Sequence, residues 1–276
     1  MSIVFGILML FGGLVGLVVL LSYAIVWYER SNLDTGLFDT RFTAGNLALA
    51  AWLMLQEGIL LFFTVLLHPV GWIKFKEAPA EPGYGPPILL LHGLFHNRAC
   101  WLWTRWRLRR RGLRNVFAIN LPPWHGLENL TERVAEKVEE LRRTTGSDQV
   151  LLVGHSMGGM IARNFMHLGG ADQVAGCILL GTPNCGSKLA PFSVTDLGRL
   201  LLPGSEFLQR LAEAPLPAGV RLTAIYSRHD NMVIPFESAL LPGAENIELN
   251  GMGHMGLLYH PLAFEYLVDA LKEARP

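Results

Sequence analysis

Residues 149–159 read Gln-Val-Leu-Leu-Val-Gly-His-Ser-Met-Gly-Gly, an apolar run that delivers a serine into a glycine-flanked turn. A bend of this kind lets the serine stand strained and exposed at a strand end. A helix starting directly after it aims the Met157 N–H at developing negative charge. The chemistry such a turn can do is nucleophilic attack on an acyl carbon by Ser156. A serine nucleophile also needs a base, and an acid to orient that base, each at the carboxyl end of a later strand. Residues 221–230 read Arg-Leu-Thr-Ala-Ile-Tyr-Ser-Arg-His-Asp, an apolar strand that opens into a polar loop and puts Asp230 at its exit. Residues 246–254 read Asn-Ile-Glu-Leu-Asn-Gly-Met-Gly-His, a short strand and a glycine loop that leaves His254 free to reach across. Asp196, after the preceding strand, is the rival acid.

The remaining requirement is a second backbone donor facing Met157, to hold the oxyanion. Residues 87–92 form a strand running into His92-Gly93-Leu94-Phe95-His96-Asn97, and the Leu94 N–H is the expected donor. His92 is expected to be structural rather than a proton carrier.

Several separated motifs resemble the α/β-hydrolase family, particularly its bacterial lipase and esterase branch, across residues 86–276. They are His92-Gly93 at the oxyanion strand end, Gly154-His155-Ser156-Met157-Gly158-Gly159 at the elbow, and Gly181-Thr182-Pro183-Asn184-Cys185-Gly186-Ser187 after the next strand. Asp230 through Val233-Ile234-Pro235, and Gly253-His254, complete the set. The chain order Ser156, Asp230, His254 is the order of that family. Asn184 departs from it, since many lipases of this type carry histidine there. The resemblance implies ester hydrolysis through a Ser-His-Asp triad and an acyl-enzyme.

The elements that must position these residues are legible independently. Apolar runs at 87–92, 115–121, 149–154, 174–181, 221–227 and 245–249 alternate with helical stretches, which predicts a mostly parallel six-stranded sheet flanked by helices. Residues 131–144 carry Val134, Val138 and Leu141 at helical spacing with Glu136, Glu139 and Glu140 outward, the pattern of a crossover helix. Residues 187–218 are the longest insertion and are expected to form a small cap. Together with Phe95, its Leu189, Phe192 and Leu197 are candidates for the substrate pocket; ordinary helix packing is the alternative.

The N-terminal quarter is a different polymer and lifts the mean hydropathy to +0.32. From Ile3 to Trp27 there is no charged residue. Such a helix reaches about 37 Å, more than the roughly 30 Å of a hydrocarbon core. The expectation is an uncleaved transmembrane helix over residues 1–28. A signal peptide cut near Ser22-Tyr23-Ala24 is the competitor, without the basic n-region it should have. A connecting loop (29–43) leads to a second transmembrane or membrane-associated helix at 44–73, interrupted by Gln56 and Glu57. An acid at mid-bilayer costs about 2.5–3.5 kcal/mol on insertion scales, which the surrounding Leu, Ile and Phe can offset. The favoured reading is a two-helix hairpin. The alternative is a helix lying against the hydrolase or in the membrane surface, with Gln56 and Glu57 wetted. For Glu57 a helix-helix or head-group contact and a packed, protonated acid stand as equals. A linker at 74–86 then leads to the hydrolase domain at 87–276.

Arg30 and Arg41 on one side of the second helix balance Lys74 and Lys76 on the other, so basic residues do not set an orientation. Three cysteines, Cys100, Cys177 and Cys185, cannot all pair within one chain, which fits a reducing compartment and the cytosolic face. Zero formal net charge argues against a nucleic-acid surface, and no phosphate loop, dinucleotide fingerprint or zinc spacing appears. No cofactor and no metal is expected. Residues 98–114 hold seven arginines with Trp101, Trp103 and Trp106, either the first crossover helix with a basic face or a contact with anionic lipid. The expected partners are a lipid or other ester substrate and the bilayer, with self-association through the N-terminal helices open. An acyltransferase or thioesterase using the same triad, and a non-catalytic membrane scaffold, are the alternative functions.

Overall fold

The structure is a computed structural model that describes residues 3–33, 42–73, 81 and 83–275. Most of the expected linker 74–86 and part of the loop 29–43 lie outside the described residues, as do Arg41, Lys74 and Lys76.

Six strands form one sheet: β1 (Ile88–Leu91), β2 (Val116–Ile119), β3 (Val150–His155), β4 (Val174–Leu180), β5 (Arg221–Ser227) and β6 (Glu245–Leu249). Their order is β2-β1-β3-β4-β5-β6, and every neighbouring pair is parallel. Parallel strands are covered on both faces, which is why β1, β3 and β4 read as near-continuous apolar runs instead of alternating ones. The pleat divides them, with Leu89, Leu91, Val150 and Leu152 in the core on one face and Ile88, Leu90, Leu151 and Val153 in the core on the other.

With residues numbered along the chain, the helices are α1 (Ile3–Leu33), α2 (Ala44–Leu66), α3 (His68–Trp72), α4 (Leu102–Arg110), α5 (Leu127–Thr145), α6 (Met157–Phe165), α7 (Asp196–Arg199), α8 (Glu206–Glu213), α9 (Gly256–Tyr259) and α10 (Pro261–Glu273). In α5, Leu127, Leu130, Val134, Val138 and Leu141 are buried at helical spacing, and Gly146 ends the helix in the left-handed conformation. All nine residues of α6 are buried, so the helix that follows the serine is fixed on every side.

The arginine-rich segment is the first crossover helix. Arg107 lies 3.7 Å from the Phe264 ring centroid, Arg111 pairs with Glu265 at 2.7 Å, and Arg114 pairs with Glu81 at 3.0 Å. Trp101 is buried, whereas Trp103 and Trp106 stack on one another at the surface.

Both N-terminal helices are long and apolar enough to cross a membrane, by length and composition alone. They pack on each other through Phe11 and Phe62, whose ring centroids are 5.1 Å apart. They also lie along the sheet domain. Leu60 and Leu61 pack against its core, the Thr64 hydroxyl is 2.9 Å from the Tyr259 hydroxyl, and the Arg30 guanidinium reaches the Arg228 carbonyl. Glu57 is only 1% exposed, so it is not wetted: the domain covers that face of α2. The outer face keeps Trp52, Leu55, Ile59 and Phe63 exposed, as the free end of α1 does Ile3, Val4, Ile7 and Met9.

Candidate active site

Ser156 stands between β3 and α6 with φ 54° and ψ −123°, a conformation costly for any residue with a Cβ. It is held there by its own N–H donating to the Leu180 carbonyl at 2.9 Å and its carbonyl accepting from Gly159 N–H at 3.0 Å. A side chain at position 158 would collide with the Leu91 carbonyl, so glycine is what lets the turn sit down on β1. Met157 is the first residue of α6, and its N–H has by helix geometry no intrahelical partner.

Asp230 and His254 meet at the carboxyl ends of β5 and β6. The His254 Nδ1–H donates to Asp230 Oδ2 at 2.8 Å, and both residues are buried. The other carboxylate oxygen, Oδ1, accepts the N–H groups of Met232 at 2.7 Å and Val233 at 2.9 Å, so the carboxylate cannot rotate away. Burial opposes a charge on His254, but the charge and hydrogen bond of Asp230, together with the charge of Glu57, hold the imidazole above its ordinary pKa. Gly181, at the end of β4, packs on this pair: a Cβ there would lie 3.2 Å from both Asp230 Oδ2 and His254 Nδ1. Asp196 is fully exposed in α7, 3.5 Å from Arg199, and has no place in this arrangement.

The loop after β1 passes directly over the serine. A Cβ on Gly93 would be 3.0 Å from that of Ser156, so the chain of Gly93-Leu94 runs against the elbow. Phe95 follows with φ 60°; Phe95 and Ser156 are the two non-glycine residues with positive φ among the described residues. His92 anchors the loop. Its Nε2 accepts the Leu121 N–H at 2.8 Å, which puts the proton on Nδ1, and Nδ1 donates to the Gly93 carbonyl at 2.8 Å.

Of the pocket candidates, Phe95 and Phe192 are exposed, Leu189 is half-buried and Leu197 is in the core with Leu201 and Phe207. The insertion 187–218 folds back through Gly198 onto the Leu94 side chain, which places it beside the loop that follows β1. Asn184 is structural: its amide donates to the Ala239 carbonyl at 2.7 Å, and its oxygen accepts from Arg163 at 3.0 Å. Among the described residues no cluster of three metal-ligating side chains occurs.

Two neighbours of the site had no place in the sequence reading. His155, inside the elbow motif, packs against His254 with ring centroids 4.5 Å apart and the rings tilted by 46°, and bonds the His254 carbonyl through Nε2 at 3.3 Å. Asn231, next to Asp230, accepts the His254 N–H through Oδ1 at 3.2 Å. Adjacency to the motifs was their signal.

Buried histidines give the fold a pH limit. Burial lowers the pKa of His92 to about 4, and burial with the nearby His254 charge holds His155 well below the ordinary value. A lowered pKa means that the unfolded chain binds more protons, so this stability is full above about pH 6.5 and is lost as pH falls toward 4. His254 has the opposite sign, since its contribution is complete below 6.5 and is lost as pH rises. For His92 the loss on the acid side should be on the order of 2 kcal/mol at pH 4.5. Thermal midpoints in detergent should therefore fall between pH 6.5 and 4.5; a flat profile there would contradict neutral burial.

Comparison with known proteins agrees with this architecture. Residues 88–224 match the model of the Alpha/beta hydrolase family. A triacylglycerol lipase of Pseudarthrobacter phenanthrenivorans is 30% identical over 115 residues, which is 38% of this chain. The match spans 35% of that lipase. The lipase BlEst2 of Bacillus licheniformis in its mature form superposes with a TM-score of 0.61 at 20% identity, over 72% of this chain and 96% of that one. A monoacylglycerol lipase of Paleococcus ferrophilus gives a TM-score of 0.53 at 15% identity, over 73% and 98%. At such identities the solved structures speak to fold. Residues 87–275 have the α/β-hydrolase fold, with a six-stranded parallel sheet flanked by helices.

Proposed function

We propose that this chain is a membrane-associated serine hydrolase that cleaves carboxylic esters of lipids. The observation that carries the reading is the buried Asp230–His254 pair at the sheet edge that also holds the strained Ser156. Asp230 fixes the proton of His254 on Nδ1 and leaves the Nε2 lone pair to take the proton of Ser156 as Oγ attacks the acyl carbon. The backbone N–H groups of Met157 and Leu94 receive the oxyanion. The proton then passes from Nε2 to the leaving alcohol. Water, deprotonated by the same nitrogen, releases the acid from the acyl-enzyme.

Three features support lipid as the substrate class. The proteins it resembles include lipases of tri- and monoacylglycerols. Phe95, Phe192, Val194 and Met232, on loops of the sheet's carboxyl end and of the insertion, expose apolar surface. The outer faces of α1 and α2 offer an apolar attachment to a bilayer, while their inner faces are taken by the hydrolase. Cys100, Cys177 and Cys185 are all unpaired, which supports a reducing compartment and the cytosolic face.

The test is hydrolysis of p-nitrophenyl esters from short to long acyl chains by detergent-solubilised protein, together with labelling by a fluorophosphonate. Medium- or long-chain preference with stoichiometric labelling of Ser156 is expected. Short-chain preference overturns the lipid assignment, and absence of labelling overturns the serine hydrolase.

A further inference from the structure

Three consecutive backbone N–H groups at the catalytic histidine, those of His254, Met255 and Gly256, donate to side chains from other segments. The apolar helices stand behind all three. The Met255 and Gly256 N–H groups donate to the two carboxylate oxygens of Glu57, on α2, each at 2.8 Å. The His254 N–H donates to Asn231 Oδ1, and the Asn231 amide in turn donates to the Ser22 hydroxyl of α1 at 2.8 Å. The Tyr23 hydroxyl of α1 donates to the carbonyl of His229, next to Asp230, at 3.4 Å. Gly253 makes the approach feasible: a Cβ there would collide with the Glu57 side chain and lie 2.5 Å from the Tyr23 hydroxyl.

We propose that Glu57, supported by Ser22 acting through Asn231, is a positioning residue for His254, so that the N-terminal helices are part of the catalytic apparatus as well as an attachment. This rests on His254 being the catalytic base. A carboxylate that accepts from two successive amides fixes both the place and the orientation of the peptide carrying the histidine. The loop 250–255 lies between β6 and α9 and has no ladder of its own to hold it. Displacing a catalytic group by about 1 Å can cost roughly 100-fold in rate. The geometry also accounts for an acid in the middle of an otherwise apolar helix. Buried at 1% exposure, Glu57 satisfies two amides that would otherwise be orphaned beside the active site.

The experiment compares full-length Glu57→Gln, Glu57→Asp, Ser22→Ala and Thr64→Val in detergent, with kcat expressed per site titrated by a fluorophosphonate, which removes misfolded protein from the count. In Glu57→Gln one oxygen is retained and an NH2 group faces an amide donor. Its kcat should fall about 10- to 100-fold with KM nearly unchanged, and Glu57→Asp, which keeps a carboxylate, should recover part of the loss. Thr64→Val breaks a contact of the same helix with Tyr259 and should leave kcat per site within about 2-fold while lowering the melting temperature. If Glu57→Gln yields no titratable protein, Ser22→Ala decides: a fall in kcat of several-fold supports the proposal, and an unchanged kcat overturns it. Equal losses in Glu57→Gln and Thr64→Val would mean a structural role only and would overturn it too. An active wild type abolished by Ser156→Ala but indifferent to Glu57→Gln removes this inference alone, whereas retained activity in Ser156→Ala removes the hydrolase reading beneath it.

Discussion

Ser156→Ala is expected to lower kcat for ester hydrolysis by about 10⁵- to 10⁶-fold, with little change in KM and none in fold. In the proposed mechanism the serine hydroxyl supplies the attacking electron pair, and nothing else at the elbow can replace it. Substrate binding would persist, because the candidate oxyanion donors are the backbone amides of Met157 and Leu94, which the substitution leaves in place. Alanine keeps the Cβ, and with it the cost of φ 54°, so the melting temperature should match that of the wild type. Ser156→Gly removes that cost and should be more stable by about 1 kcal/mol while equally inactive. The pair separates chemistry from folding: both variants must lose labelling by fluorophosphonate and hydrolysis alike. Activity in Ser156→Ala within about 100-fold of wild type would mean that another group attacks the ester.

The sheet was legible because parallel strands, buried on both faces, write themselves as apolar runs. All six strands lie within or close to the windows read from sequence, and α5 shows its period through Val134, Val138 and Leu141. The candidates Ser156, Asp230 and His254 stood out in the sequence because each sits in local chemistry: glycines where backbones touch, and a polar loop after an apolar strand. The contact of the N-terminal helices with the loops that carry Asp230 and His254 was not legible. Periodicity reports that a helix has an apolar face but not what covers it, and α1 and α2 are apolar nearly all round. Glu57 was the visible irregularity, yet its partners are backbone amides of Met255 and Gly256, which carry no side-chain signature. The sequence offered lipid, another helix or a packed acid for that carboxyl; the structure packs it, at 1% exposure, against the loop that carries His254.

Asp230→Asn should lower kcat by about 10⁴-fold while leaving the protein folded, and the hydrogen bonds around the carboxylate give the reason. In the wild type Oδ1 accepts from Met232 and Val233, and Oδ2 accepts the Nδ1 proton of His254. An asparagine in this site has one acceptor and one donor. Two backbone N–H groups at 2.7 and 2.9 Å require the acceptor on the Oδ1 side, so the amide NH2 must take the position facing the histidine. Only a histidine unprotonated at Nδ1 can accept from that NH2, and its proton then resides on Nε2. An Nε2–H cannot take the proton of Ser156, so the variant keeps every heavy atom in place and holds the wrong tautomer. Fluorophosphonate labelling should slow in step with kcat, and KM should stay near its wild-type value, because the loss falls on proton transfer rather than on binding. Asp230→Ala, which frees His254 to choose its tautomer but leaves the Met232 and Val233 amides unpaired, should be the less stable variant and the less impaired per folded molecule. Asp230→Asn within about 10-fold of wild type would remove Asp230 from the role of orienting acid; Asp196, exposed on α7 and paired with Arg199, is in no position to inherit it.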